Sequence, residues 1–201
     1  MARTERTILG IDPGLANTGW GVVAQSGPRL ACVAYGCIST PAQAPLARRL
    51  GKIHEQMVAV IKRFEPTCVG IETVWFGQNV TAAFATGQAR GAALVACAEH
   101  DLYVGEFSPK QIKLAVVGTG SADKEQVQYM VRQLLSLDDV PRPDHAADAL
   151  AAAICFTTHE GFAQAESRFD HLVAKAEARD AGRRGISCAA SGRAVARKER
   201  A

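Results

Sequence analysis

Residues Thr7 to Val23, TILGIDPGLANTGWGVV, leave this chain few ways to fold. The apolar run Ile8-Leu9-Gly10-Ile11 ends on a carboxylate, Asp12. Pro13-Gly14 breaks the run, and a second one, Trp20-Gly21-Val22-Val23, follows. A short continuous apolar run bounded by turn residues suits a buried strand, so the stretch reads as strand, turn, strand. Asp12 then stands at the end of a buried strand, where rigid backbone holds a side chain better than a loop does. An ordinary Asp-Pro-Gly turn accounts for the same residue without any chemistry. The rest of the chain decides between the two.

Leu30 to Ser39, LACVAYGCIS, reads as a third strand and completes an antiparallel meander joined by glycine-bearing turns. From Leu46 to Phe64 the apolar residues Leu46, Leu50, Ile53, Met57, Val60, Ile61 and Phe64 recur at helical spacing, and Pro66 stops the pattern. Thr67 to Val74, TCVGIETV, predicts a fourth buried strand with Glu72 near its end. A carboxylate among buried neighbours is expensive unless it is paired or bound to a cation. Trp75 and Phe76 follow directly. Two adjacent aromatics cannot both easily face a core from one loop, so exposure of one and packing of both stay open.

Thr81 to His100 predicts a helix of small residues. Gly87 and Gly91 share a face there, where a sheet or a twin subunit can come close. Leu102 to Phe107 is a fifth strand, and Ser108 to Val117 carries Lys110 and Lys113. Gly118 to Asp123 is a glycine-rich turn before a helix, Lys124 to Leu135, with Ser121 the expected N-cap. The turn lacks the Gly-x-x-x-x-Gly-Lys-Ser/Thr spacing of a phosphate loop, although Lys113 and Lys124 can reach a phosphate backbone. Asp144 to Ile154 is strongly helical, with Asp144 as expected N-cap and His145 and Asp148 three apart on one face. An acid offsetting the helix dipole is the bland account of Asp148. Against it stands the pattern of three acids, each at a strand end or a helix start.

Composition removes other classes. No window approaches the ~20 apolar residues of a membrane span, and MARTERTILG lacks the apolar core of a signal peptide. The six cysteines are scattered without a Cys-x-x-Cys pair, which suits buried reduced thiols in a cytoplasmic protein. From Phe162 onward nine Lys/Arg face five Asp/Glu, while the first 161 residues hold 14 against 15. Any basic surface on the body is therefore local. Residues 162–201 lose periodicity and read as a basic, flexible tail behind one domain, 1–161.

The order of elements is an α/β pattern with one mixed sheet. If the first and fourth strands are neighbours, Asp12 and Glu72 lie side by side, and a helix starting over that edge brings His145 and Asp148 to them. Three carboxylates in one place repel unless a cation sits among them. An oxygen-rich set with one imidazole suits Mg2+ or Mn2+ rather than structural zinc. Two such ions can clamp the attacking and leaving oxygens of a phosphoryl displacement, so the expected chemistry is phosphodiester hydrolysis.

Taken together, ILGIDPGLANTGWGVV, IETVWFGQNVTAAFATGQARGAALVAC, QIKLAVVGTGSADKEQVQYMV and DHAADALAAAI resemble the RuvC family of bacterial Holliday-junction resolvases, over about residues 7–158. The resemblance implies a ribonuclease H-like fold, a five-stranded mixed sheet flanked by helices. It implies a homodimer that nicks four-way DNA junctions in pairs during recombination and repair, docking on the RuvA–RuvB branch-migration motor. Asp12, Glu72 and Asp148 fall on the family's metal-binding acids, with Asp12 bridging two Mg2+ ions, for which Mn2+ substitutes. His145 falls on the remaining ligand position, as metal ligand or proton shuttle, and a slip of one residue would give that position to Asp144. Trp75 matches an aromatic that stacks on unpaired bases, with Phe76 beside it. Lys113 and Lys124 match lysines near the DNA and the reaction centre, Lys124 as a catalytic group. The products implied are a 5′ phosphate and a 3′ hydroxyl.

Three rivals remain. Gly-Ile-Asp-x-Gly also resembles the first phosphate loop of actin-like ATPases and sugar kinases, which need two such domains; no second copy of strand and loop is read here, and the chain is short for one. A compact ribosomal-RNA maturation nuclease shares the opening motif but not the Trp75 loop and lysine segments. A non-catalytic junction-binding protein is expected to have lost one of the acids, and all are present here.

Overall fold

A computed structural model of the chain describes residues 5–74 and 79–159. Five strands form one sheet in the order β3-β2-β1-β4-β5. β1 (Glu5–Asp12), β2 (Asn17–Ser26) and β3 (Arg29–Ser39) make the predicted antiparallel meander. β4 (Cys68–Glu72) and β5 (Tyr103–Phe107) then add in parallel to the other side of β1. The expected neighbourhood of the first and fourth strands is therefore present, with Ile11 of β1 opposite Ile71 of β4.

Alternation along the strands sorts the core into two layers. Leu9, Ile11, Val22, Val69 and Ile71 point to one face, under α1 (Leu46–Phe64) and α2 (Val80–Ala98). Ile8, Val23 and Cys68 point to the other, under α3 (Pro109–Val117), α4 (Lys124–Leu134) and α5 (Asp144–His159). By the same parity Gly10 and Asp12 share the α5 face, as do Gly70 and Glu72. All of the large residues named for these layers are fully buried.

Two helix starts differ from the sequence reading. Asp123, not Ser121, caps α4: its side chain accepts from the Gln126 amide, and the Gln126 side chain reaches back to the Asp123 amide. Ser121 instead bonds Thr119 within the turn. The reciprocal box satisfies two helix-end amides at once, which a lone serine two residues earlier cannot do. Asp144 is the first residue of α5 rather than its cap, and its carboxylate is engaged elsewhere. A further reciprocal box, Ser108 with Gln111, starts α3 behind Pro109.

α2 spends its alanines inward. Ala89, Ala93, Ala96 and Cys97 pack into the core. Gly87 and Gly91 face outward with nothing within 4 Å of where a Cβ would lie, beside exposed Val80, Phe84 and Val95. None of the five described cysteines is in a disulfide, and three of them, Cys68, Cys97 and Cys155, are buried. Among the described residues no helix is long and apolar enough to cross a membrane. The predicted tail, 162–201, lies outside the described residues, as do Trp75 and Phe76.

Candidate active site

The site begins with a row of glycines. Gly21, Gly10, Gly70 and Gly105 stand in register across β2, β1, β4 and β5. α5 crosses this row at backbone distance. A Cβ on Gly10 would overlap the Ala149 carbonyl, and one on Gly19 the His145 carbonyl. At Gly70 it would come within 2.5 Å of the Ala152 oxygen. The helix matches the row with small residues: Ala146, Ala147, Ala149 and Ala151 to Ala153 are all buried. Larger side chains on either surface would hold α5 away from the acids at the strand ends.

Asp12 follows Gly10 by two residues and Glu72 follows Gly70 by two, so both project toward α5 from adjacent parallel strand ends. Strands lie about 4.8 Å apart, which sets the scale of their separation. The turn after Asp12 is pinned by Thr18 donating to the Gly14 carbonyl at 2.8 Å and by the Thr40 amide donating to Ala16 at 2.9 Å. From the first turn of α5, His145 Nδ1 meets Asp12 Oδ2 at 2.7 Å. Asp12, His145 and Asp148 can each offer one ligand atom within 4.8 Å of the others. Glu72 adjoins this trio across a cleft of about 210 Å3, shared with Asp148, Lys113, Lys124, Ile112 and Val127.

The electrostatics are those of crowded negative charge. Burial, then the neighbouring charges of Asp12 and Asp148, push Glu72 up to about 7, against a smaller opposing pull from Lys113. Burial and the Asp12 charge likewise raise Asp148. The hydrogen bond to Asp12 raises His145, outweighing its partial burial. Lys124 lies 3.0 Å from Asp144 and 3.6 Å from Asp148. Desolvation lowers its pKa, but the hydrogen bond to Asp144 and the two carboxylate charges outweigh that and raise it. Burial and neighbouring acids raise both Glu72 and Asp148, the pattern of a site short of positive charge. A donor set of carboxylate oxygens plus one imidazole fits a hard divalent cation.

The sequence-derived residues thus divide. Asp12, His145 and Asp148 come together, with Glu72 beside them, and Lys113 and Lys124 line the same cleft. Trp75 and Phe76 lie outside the described residues. Asp144 is not part of the close trio; its carboxylate pairs with Lys124. The glycine row went unread in the sequence, although a signal existed: Gly-x-Asp ends β1 and Gly-x-Glu ends β4, the same spacing twice.

Residues 8–156 match the family model described as crossover junction endodeoxyribonuclease RuvC. The chain belongs to the RuvC family. A RuvC relative from Heliobacterium modesticaldum is 51% identical over 148 residues, covering 74% of this chain and 91% of the relative. One from Rubrobacter xylanophilus is 48% identical over 154 residues, covering 77% and 86%. Among solved structures, T. thermophilus RuvC in complex with a Holliday junction substrate is similar with a TM-score of 0.72 and 38% identity, over 76% of this chain and 93% of that one. The RuvC fold, a ribonuclease H-like mixed sheet with helices on both faces, is the fold described above. The family's nuclease activity implies a divalent metal, and the RuvC-matching segment contains every acid of the site.

Proposed function

We propose that this chain is a structure-selective endonuclease that resolves four-way DNA junctions by paired symmetric nicks. The reading is carried by one observation. The Asp12–His145–Asp148 trio, with Glu72 beside it, sits inside the segment, residues 8–156, that matches the RuvC family model. Asp12, Glu72, His145 and Asp148 would hold the metal, two Mg2+ ions per site with Mn2+ able to substitute. Such ions supply activation of water at neutral pH and Lewis-acid polarisation of the phosphoryl oxygens. The chain's own groups do the rest. Asp12, fixed by its strand and pinned turn, anchors the site. His145 would serve as a ligand through its neutral imidazole, or shuttle a proton, with Asp12 against its Nδ1 orienting the ring. Lys113 and Lys124 bring positive charge to the strand in the cleft, Lys124 nearest the reaction centre. The nick leaves a 5′ phosphate and a 3′ hydroxyl.

The exposed stripe on α2, Val80, Phe84, Gly87, Gly91 and Val95, supports a homodimer whose two sites address two strands of the junction. Glycines on that stripe let a second backbone come close. Trp75 and Phe76 are assigned to unpaired bases at the junction centre. The partner on DNA is the RuvA–RuvB motor, the compartment is the cytoplasm, and residues 162–201 form a basic tail outside the nuclease domain.

The test compares a mobile synthetic four-way junction with a linear duplex of the same sequence, in Mg2+ and in Mn2+, with Asp148→Asn as control. Paired nicks on the junction alone, absent from the variant, are the expected result. Tight binding with no cutting in either metal, over many junction sequences, would overturn the catalytic reading. Preferential cutting of RNA would place the protein with RNA-processing nucleases instead.

A further inference from the structure

Asp144 stands outside the close trio yet holds a partner that touches it. It lies one turn before Asp148 on α5, so both carboxylates face the same way. Between them sits the Lys124 ammonium, 3.0 Å from Asp144 and 3.6 Å from Asp148. The Lys124 backbone is fixed at the first turn of α4 by the Asp123–Gln126 box. Its four-carbon stem is the part left to move. Both Asp144 and Lys124 are about half exposed, whereas the Asp148 side chain is 28% exposed.

An ammonium and a divalent ion compete for one carboxylate. If Lys124 had Asp148 alone to pair with, it would close on that oxygen and neutralise it. A second carboxylate one turn outward, at shorter distance, draws the ammonium toward solvent. We propose that Asp144 is a positioning residue: it holds Lys124 off Asp148, so that Asp148 stays available to the divalent cation while the lysine remains beside the cleft. The proposal rests on reading Asp148 as a metal ligand.

The test is a double-mutant cycle read by Mn2+ binding to the full chain without DNA, with free Mn2+ followed by electron paramagnetic resonance. Asp144→Ala is expected to weaken Mn2+ binding by roughly 10-fold, the lower end for loss of an outer partner of a metal ligand. In a Lys124→Ala background the same substitution is expected to change it less than about twofold, because no ammonium is left to collapse onto Asp148. Asp144→Glu, which restores the carboxylate, is expected to recover binding. Equal weakening in both backgrounds would show a general loss of negative charge and overturn the proposal, as would no weakening at all. Metal-free melting temperatures of each variant separate these results from a folding defect. Asp148→Asn, run in parallel, separates the two readings. If it leaves Mn2+ binding intact, the assignment of the site itself fails. If it abolishes binding while Asp144→Ala has no effect, only the positioning role falls.

Discussion

Gly10 and Gly70 stand opposite each other on β1 and β4, and each lies under a main-chain carbonyl of α5, Ala149 over the first and Ala152 over the second. Each also precedes a site acid by two residues on the same face. The pair therefore sets both the depth of the helix and the reach of the acids.

Gly10→Ala forces the Ala149 backbone outward and is expected to cost about 3 kcal/mol, the upper end of the usual range for overfilling a packed core. It is expected to lose cleavage as well, because His145 and Asp148 move with the helix. Gly51→Ala is the counterpart. Gly51 is in α1 with open space where its Cβ would go, so this change is expected to stabilise by roughly 0.5 to 1 kcal/mol. Urea denaturation of both variants checks the contrast. Near-equal effects would refute the close-approach argument.

Stability without metal is expected to fall as pH rises. Folding lifts Glu72 from about 4.5 to about 7, so the folded state holds this proton more tightly than the unfolded one. The contribution is fully present below the unfolded pKa and is lost as pH climbs through the folded one, over about pH 5 to pH 8. Asp148 acts in the same direction. Melting temperature in EDTA is expected to drop across this window in the wild type and less so in Glu72→Gln. Parallel profiles for the two proteins would remove Glu72 from the account.

Metal binding is expected to expel protons near neutral pH, because ligands must be deprotonated. Calorimetric titration with Mg2+ in buffers of different ionisation enthalpy measures the count. A raised Glu72 and a raised His145 predict release that shrinks as pH increases toward 9. Glu72→Gln is expected to reduce it, and a buffer-independent heat at pH 7 would contradict the prediction.

His145 and a carboxylate are expected to be interchangeable as the fourth donor, with different proton competition. His145→Asp is expected to retain cleavage within about 10-fold and to extend it to lower pH, since an imidazole raised by Asp12 protonates first. His145→Ala is expected to lose roughly 100-fold or more. A pH–rate profile of the three proteins decides the matter, and retention of full activity in the alanine variant would dismiss His145 from the site.

Gly91→Leu on α2 is expected to leave the fold intact, since its side chain meets open space in the single chain, while preventing close approach of a second copy. Sedimentation would then report a monomer, and paired nicking would be lost. A variant that remains dimeric would move the interface elsewhere.

Much of this was legible in the chain itself. Apolar runs gave the five strands, and placing Asp12 and Glu72 at strand ends followed from where those runs stopped. The parity that puts both acids on one face is a property of any strand, and it needed only the neighbourhood of β1 and β4 to become a site. Other features escaped because they are relations between distant segments. Nothing near Gly10 in the sequence says that a helix more than 130 residues later will lie on it. Ser121 and Asp123 are both good caps in isolation, and the reciprocal bond with Gln126 decides between them. Asp144 read as a cap because its partner, Lys124, belongs to another helix. The resemblance put His145 rather than Asp144 on the fourth position, and the pairing of its imidazole with Asp12 is what the fold adds in support.

The bond between His145 and Asp12 joins residues 133 positions apart. Domains generally fold as units, and α5 is the last described element of this one to emerge during synthesis. Until it docks, Asp12 and Glu72 stand at bare strand ends without His145 or Asp148. A ribosome-bound or truncated chain therefore carries half a blade. The site of an enzyme that severs DNA is thus complete only once α5 has joined the sheet, and a chain that stops before α5 lacks two of its four donors.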